Sequence, residues 1–206
     1  LAMLDRTVKI PKRPLVALIG GAKIETKLPF LRRILSIADR VLVGGAIANA
    51  LLHARGVAVG SSFRDGKIPQ RILLSVLRSQ KLMLPVDIVA GREGSTRNRI
   101  VSIGGIRRDE RIADIGPKTT RIFSSALAQA RTIVWNGPMG LVEDRRFVRG
   151  TLDLARASGR TRAFSVVGGG DTVSLLERAR LLEKFHFVST GGGAMLAYLA
   201  GEKLPA

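Results

Sequence analysis

The chain has 206 residues, 46% of them hydrophobic and 4% aromatic, with a formal charge of +18 and no cysteine. Its size and apolar content suffice for one compact domain, while the missing thiols exclude disulfides, thiolate metal sites and cysteine nucleophiles. No apolar run approaches the roughly 20 residues that cross a bilayer, and Leu1–Asp5 lacks the layout of a secretion signal, so a cytoplasmic protein without membrane attachment is expected.

In chain order, the first element is the continuously apolar run Leu15–Ile19, followed by Gly20-Gly21-Ala22-Lys23 and then by Leu28, Leu31, Ile34 and Leu35 at helical spacing. Val41–Val43 is a second strand candidate and ends in Gly44-Gly45-Ala46. Ile68, Ile72, Leu73, Val76 and Leu77 predict a helix, and Leu82–Val89 a third strand. Between Gly91 and Arg111 the pattern becomes polar, with Val101-Ser102-Ile103 alternating, which predicts an excursion from the sheet as a small hairpin. Asp114-Ile115-Gly116-Pro117-Lys118-Thr119 then reads as a loop-to-helix junction. Thr132–Trp135, Phe164–Val167 and Phe185–Val188 complete the strand candidates, each running into a glycine cluster: Gly137-Pro138-Met139-Gly140, Gly168-Gly169-Gly170-Asp171 and Gly191-Gly192-Gly193-Ala194. Continuously apolar strands alternating with helices predict a three-layer, doubly wound (Rossmann-like) α/β domain, with about six mainly parallel strands and helices on both faces.

The glycine clusters fall at strand C-terminal ends, where open parallel sheets bind ligands. Backbone amides approach a polyanion closely where Cβ atoms are missing, and a helix N-terminus adds partial positive charge. The standard phosphate motifs are nevertheless absent. Gly60–Lys67 has one residue too many for a P-loop and is followed by Ile68, and no Gly-x-Gly-x-x-Gly follows a strand.

Lys23 and Lys27 lie four residues apart at a helix opening, where they can meet one phosphate chain or form an ordinary solvated turn. Asn136 supplies an amide at a strand end, and Glu143 is placed either to accept ribose hydroxyls or to start a helix. Asp171, with Thr172 beside it, reads as an N-cap or as a carboxylate holding Mg²⁺ near phosphates. Ser189–Ala194 offers another turn of consecutive amides. His53 and His186 lack metal-ligand neighbours and read as structural, while Phe30, Phe123, Trp135 and Phe147 read as core. Roles for Asp87, Asp114 and Lys118 stay open. The arginines are spread from Arg6 to Arg180 without stacking aromatics, which predicts general attraction to anions and not a specific nucleic-acid site.

Taken in order, Gly20-Gly21-Ala22-Lys23, Leu84-Pro85-Val86-Asp87, Asp114-Ile115-Gly116-Pro117, Trp135–Gly140, Gly168–Thr172 and Ser189–Ala194 resemble the C-terminal, nucleotide-binding domain of the phosphoglycerate kinase family over nearly the whole chain. The resemblance implies a monomeric glycolytic phosphotransferase domain that binds ATP or ADP with Mg²⁺. By that resemblance, Lys23 and Lys27 hold phosphates and Gly191, Gly192 and Gly193 sit under the phosphoryl in flight. Gly21, Ala22, Gly45, Ile112, Asn136, Gly137, Pro138, Val142, Glu143, Gly170, Asp171 and Thr172 contact the nucleotide, and Asp171 positions the metal. Ala46 replaces a glycine of the family pattern, and Gly94 and Ile112 stand where an aromatic and a small residue border the base.

The family pairs this domain with an N-terminal half that holds phosphoglycerate, for which residues 15–206 show no counterpart. Residues 1–14 are expected to end the connecting segment, and Leu204-Pro205-Ala206 to stop before a returning tail. The chain is therefore expected to bind nucleotide and to need that half for transfer. The competing expectation is a non-catalytic nucleotide-binding relative that docks on RNA or an acidic partner through its basic surface.

Overall fold

The computed structural model describes residues 7, 10–64, 68–189 and 191–201. The segment 1–14 lies largely outside them, as do Asp65–Lys67, Thr190 and the C-terminal Leu204–Ala206.

Among the described residues nine strands run β1 (Leu15–Ile19), β2 (Arg40–Val43), β3 (Leu82–Met83), β4 (Asp87–Gly91), β5 (Asn98–Ser102), β6 (Arg111–Ile115), β7 (Thr132–Asn136), β8 (Phe164–Gly168) and β9 (Phe187–Ser189). Seven described helices lie among them: α1 (Ile24–Ile37), α2 (Gly45–Ala54), α3 (Gln70–Leu77), α4 (Pro117–Ala128), α5 (Arg149–Gly159), α6 (Gly170–Arg178) and α7 (Gly192–Ala200). Six strands form one sheet in the order β3-β2-β1-β7-β8-β9, and every pairing in it is parallel. The expected doubly wound sheet is present.

Both faces of that sheet are covered, which is why its strands read as unbroken apolar runs. In β1, Leu15, Ala17 and Ile19 join one core with Phe30 and Leu31 of α1, Leu51 of α2 and Leu199 of α7. Val16 and Leu18 point the other way, into a core with Phe123 of α4, Leu154 of α5, Leu176 of α6 and Trp135. Phe30, Phe123, Trp135 and Phe147 are all fully buried, as expected. No helix of the described residues is long and apolar enough to cross a membrane.

Three expectations need correction. Leu82–Val89 is not one strand: Pro85 cannot donate to a ladder, so the run divides into β3 in the large sheet and β4 in a second sheet. That second sheet is antiparallel in the order β5-β4-β6, so the expected hairpin gains a third strand. Ile68 also falls outside its helix, because Pro69 is the N-cap of α3.

Asp87 on β4 and Asp114 on β6, near the same end of their antiparallel ladder, cap helices far away in sequence. Asp87 is 6% exposed and accepts from the Lys118 and Thr119 amides at 2.9 and 2.6 Å and from Thr119 Oγ1 at 2.7 Å, satisfying the first turn of α4. Asp114 is 2% exposed and accepts from Gly150 at the start of α5 and from Ile115, both at 2.8 Å. Burial pushes the Asp114 carboxyl up to about 7, against the pull of those two amides. Each aspartate thus fixes the small sheet to a helix of the large one. Asp87→Ala should lower the unfolding free energy by roughly 2 kcal/mol or more, measured by urea denaturation, because three donors lose a buried acceptor; an unchanged midpoint would show that the cap is idle.

Candidate functional site

The strand order reverses between β1 and β7, since the chain winds outward through β2 and β3 and then returns beside β1. A crevice opens at such a reversal, at the C-terminal ends of the strands. Here it divides into two compartments that share Ala22, Pro138 and Asp171.

The first compartment, about 620 Å³, is lined by Lys23, Lys27, Asn136, Gly137, the Gly169–Thr172 turn, Gly192 and Gly193. Its floor is made by backbone joining backbone. The Gly20 amide donates to Asn136 O at 3.0 Å and the Gly21 amide to Pro138 O at 2.8 Å, while Gly45 donates to Met139 O at 2.9 Å. Trp135 braces the same loop by donating its indole N–H to Gly137 O at 2.7 Å. A Cβ at Gly20 would meet Pro138 O at 2.0 Å, and one at Gly45, where φ is +58°, would meet the Gly21 amide at 2.5 Å. Those glycines serve contact between loops. Gly170 and Gly193, in contrast, face open space, at the starts of α6 and α7.

Lys27 occupies the inward face of α1 with Ile24, Phe30, Leu31 and Ile34. It is 8% exposed and donates to Gly20 O at 2.5 Å. Burial draws its ammonium down to about 8; Asp171 opposes that shift and Lys23 adds to it. Lys23 is the exposed N-cap of α1, so of the two lysines one is buried and one is exposed.

Four buried side-chain atoms among the described residues lack a hydrogen-bond partner: Asn49 Oδ1, Arg111 Nε, Asn136 Nδ2 and Thr172 Oγ1. A buried unpaired polar atom costs roughly 1–3 kcal/mol, so native folds carry few. All four belong to residues that line this crevice, Asn136 and Thr172 in the first compartment and Asn49 and Arg111 in the second. Unsatisfied polarity among the described residues is thus concentrated in side chains around the cleft.

The second compartment, about 400 Å³, adds Gly21, Gly45, Ala46, Asn49, Phe63, Glu93, Arg111, Ile112 and Glu143. Residues 60–63 reach it because the Ser61 amide donates to Glu110 O and Ser62 Oγ accepts from the Ile112 amide, both at 2.8 Å. Glu93, not Gly94, lines this space. Of the residues expected at the site, Val142 is buried between the lining residues Leu141 and Glu143 and Gly191 is the exposed N-cap of α7; neither itself lines a compartment. Asn49, Phe63, Glu93 and Arg111 were not foreseen. Asn49 carried a weak signal, being a polar residue four positions after Gly45 within a run that is apolar from Ala46 to Leu52 apart from itself. His53 and His186 line neither compartment; His53 contacts Arg64 and His186 contacts Ser165.

The sequence profile described as phosphoglycerate kinase matches residues 1–202. A phosphoglycerate kinase from Desulfosudis oleivorans is 42% identical over 215 residues, covering 100% of this chain and 53% of its own length. One from Rubrobacter xylanophilus is 43% identical, with 98% of this chain and 52% of the relative covered. Among solved structures, phosphoglycerate kinase from Coxiella burnetii superposes with a TM-score of 0.92 at 38% identity, covering 98% of this chain and 54% of that one. The enzyme from Pyrococcus horikoshii OT3 gives 0.83 at 31% identity. The chain spans about half the length of the curated relatives it matches. A role docked on RNA or an acidic partner finds no support among them.

The two kinds of glycine should separate on substitution. Gly20→Ala should destabilise the protein by roughly 1–3 kcal/mol through overpacking, whereas Gly193→Ala should stay within about 0.5 kcal/mol of the parent; thermal or urea unfolding reads both.

Proposed function

The chain belongs to the phosphoglycerate kinase family, and from that premise we propose that it is the nucleotide-holding half of a cytoplasmic, glycolytic phosphotransferase. In that reaction a β-phosphate oxygen of ADP attacks the acyl phosphate of 1,3-bisphosphoglycerate, the phosphorus–oxygen bond to the carboxylate breaks, and ATP and 3-phosphoglycerate result. The observation that carries the reading is the convergence on one compartment of a buried lysine, an exposed lysine, the carboxylate of Asp171 and two open helix N-termini.

Phosphoryl transfer asks the protein mainly for positioning and charge neutralisation. Lys27, held against Gly20 O, presents a fixed charge to the phosphates, and Lys23 at the mouth can follow the phosphoryl as it moves. Amides of Gly170, Gly192 and Gly193 supply donors at helix starts. Glu143, in the second compartment, faces the ribose. Asp171 is the one acid lining the first compartment, and no three metal-binding side chains gather among the described residues. Such a donor set fits Mg²⁺ arriving on the phosphates, with Asp171 holding it directly or through water. The ion would neutralise charge between the phosphate groups. The phosphoglycerate belongs to a second half, which this reading requires for turnover.

Calorimetric titration with Mg-ADP should give one site, weakened about tenfold or more by Lys23→Ala or Asp171→Ala. Absence of heat from the parent chain would end the proposal. Mixing with a separately made N-terminal half should produce phosphoglycerate-dependent ATP turnover; full turnover by the lone chain would contradict the division of labour.

Lys27 also sets a pH dependence. Because its folded pKa of about 8 lies below the ordinary 10.5, the ammonium is lost as pH rises through 8, and phosphate attraction with it. Mg-ADP affinity should therefore fall between pH 7 and 9.5. For folding the sign is opposite: the cost of burying the charge is present in full below 8 and disappears as pH rises towards 10.5.

A further inference from the structure

The polar, arginine-rich stretch between β4 and β6, which the nucleotide reading leaves without a role, encloses a cavity of its own. It measures about 300 Å³ and shares no lining residue with either compartment of the crevice. Arg92, Arg97, Arg99 and Arg107 line it, drawn from the turn after β4, from β5 and from the loop before β6. Space for it exists because β4 ends there in Ala90 and Gly91, which contribute no bulky side chain.

Glu110 is the one acid in the lining, and it is already occupied. It is 5% exposed and takes both arms of the Arg99 fork, Nε to Oε1 at 2.8 Å and Nη2 to Oε2 at 2.6 Å, while Oε2 also accepts from the Arg107 amide at 2.8 Å. Arg99 donates further to Gly105 O at 3.0 Å, so the pair fastens β5 to the loop before β6. Arg92 meets Asp109 at 2.7 Å with both side chains about half exposed, an ion pair of little energy. The guanidinium groups of Arg97 and Arg107 take part in no hydrogen bond or ion pair among the described residues.

The lining therefore carries an excess of three positive charges. Like charges gathered around a small cavity repel one another, and an anion seated among them removes that cost. A planar carboxylate is satisfied by a single guanidinium fork, as Glu110 is by Arg99. A phosphate, being tetrahedral, offers oxygens in several directions and can take forks from separate segments at once. We propose that this cavity is a second anion site, independent of the nucleotide crevice, which binds a compact phosphate group of two or more negative charges. Arg92, Arg97 and Arg107 hold the anion, and the Arg99–Glu110 pair fixes the frame around it. The volume, at the small end of ligand pockets, suits a ligand of that size.

Inorganic pyrophosphate is the probe, and the backbone amide resonances of residues 92–110 in nitrogen-15 spectra are the readout. These resonances should shift saturably in the parent chain and equally in Lys23→Ala, where the nucleotide crevice is impaired. Replacing Arg97 and Arg107 together by Gln should weaken this binding about tenfold or more, because two charge-assisted forks are lost. Both residues are exposed, so that variant keeps its fold. Arg32→Gln combined with Arg33→Gln removes the same charge from the exposed side of α1 and should change the affinity less than about threefold. Absence of a saturable shift overturns the proposal, as does loss of the shift in Lys23→Ala, which would trace it to the crevice. Equal weakening in the two double variants would mean general attraction to a basic chain, an adventitious ion only. Citrate binding more tightly than pyrophosphate would overturn the assignment to phosphate. If Mg-ADP fails to bind while residues 92–110 still respond to pyrophosphate, the nucleotide reading falls and this site stands.

Discussion

Everything at the functional edge follows from how closely the loop after β1 approaches the loop after β7. Gly20 and Gly21 hydrogen-bond directly to Asn136 O and Pro138 O, and Lys27 Nζ closes on Gly20 O from the helix side. No side chain fits between these strands of backbone, so the two central loops behave as one rigid floor. That floor sets where Asn136 and Lys27 stand, and it does so before any ligand arrives. Preorganised donors of this kind are what phosphoryl transfer draws on, because they need no rearrangement as charge moves.

Lys27 shows what the arrangement costs. A lysine on the inward face of α1, in register with Ile24 and Leu31, is poorly solvated, and its charge is correspondingly less stable than in water. A fold that keeps it there gives up some stability for a cation whose position is fixed. Asn136 Nδ2 and Thr172 Oγ1 make the same exchange on a smaller scale, as buried atoms without a protein partner. Strain of this sort, concentrated at one place, marks function better than any single motif does.

Much of this was legible in the sequence, and the reasons are local. β1, β7 and β8 read correctly because a strand buried on both faces is apolar at most of its positions, and the glycine clusters read correctly because they punctuate those strands. The order of the motifs gave the family. What stayed hidden depends on contacts between distant segments. Asp87 and Asp114 cap α4 and α5 across sequence gaps of about thirty residues, and no spacing rule announces a cap that comes from another sheet. The sequence also could not sort glycines that let loops touch, such as Gly20, from those that open towards solvent, such as Gly193. Phe63 and Arg111 were missed for a similar reason: residues 60–63 meet β6 only after the chain has travelled some fifty residues.

The crevice takes its two ends from different parts of the fold. The large sheet and its helices furnish the end with Lys27, Asn136 and Asp171, while β6, α2 and the segment before α3 furnish the end with Arg111, Asn49 and Phe63. The two ends can therefore be altered through different sets of residues, although both rest on the loops that meet at Pro138.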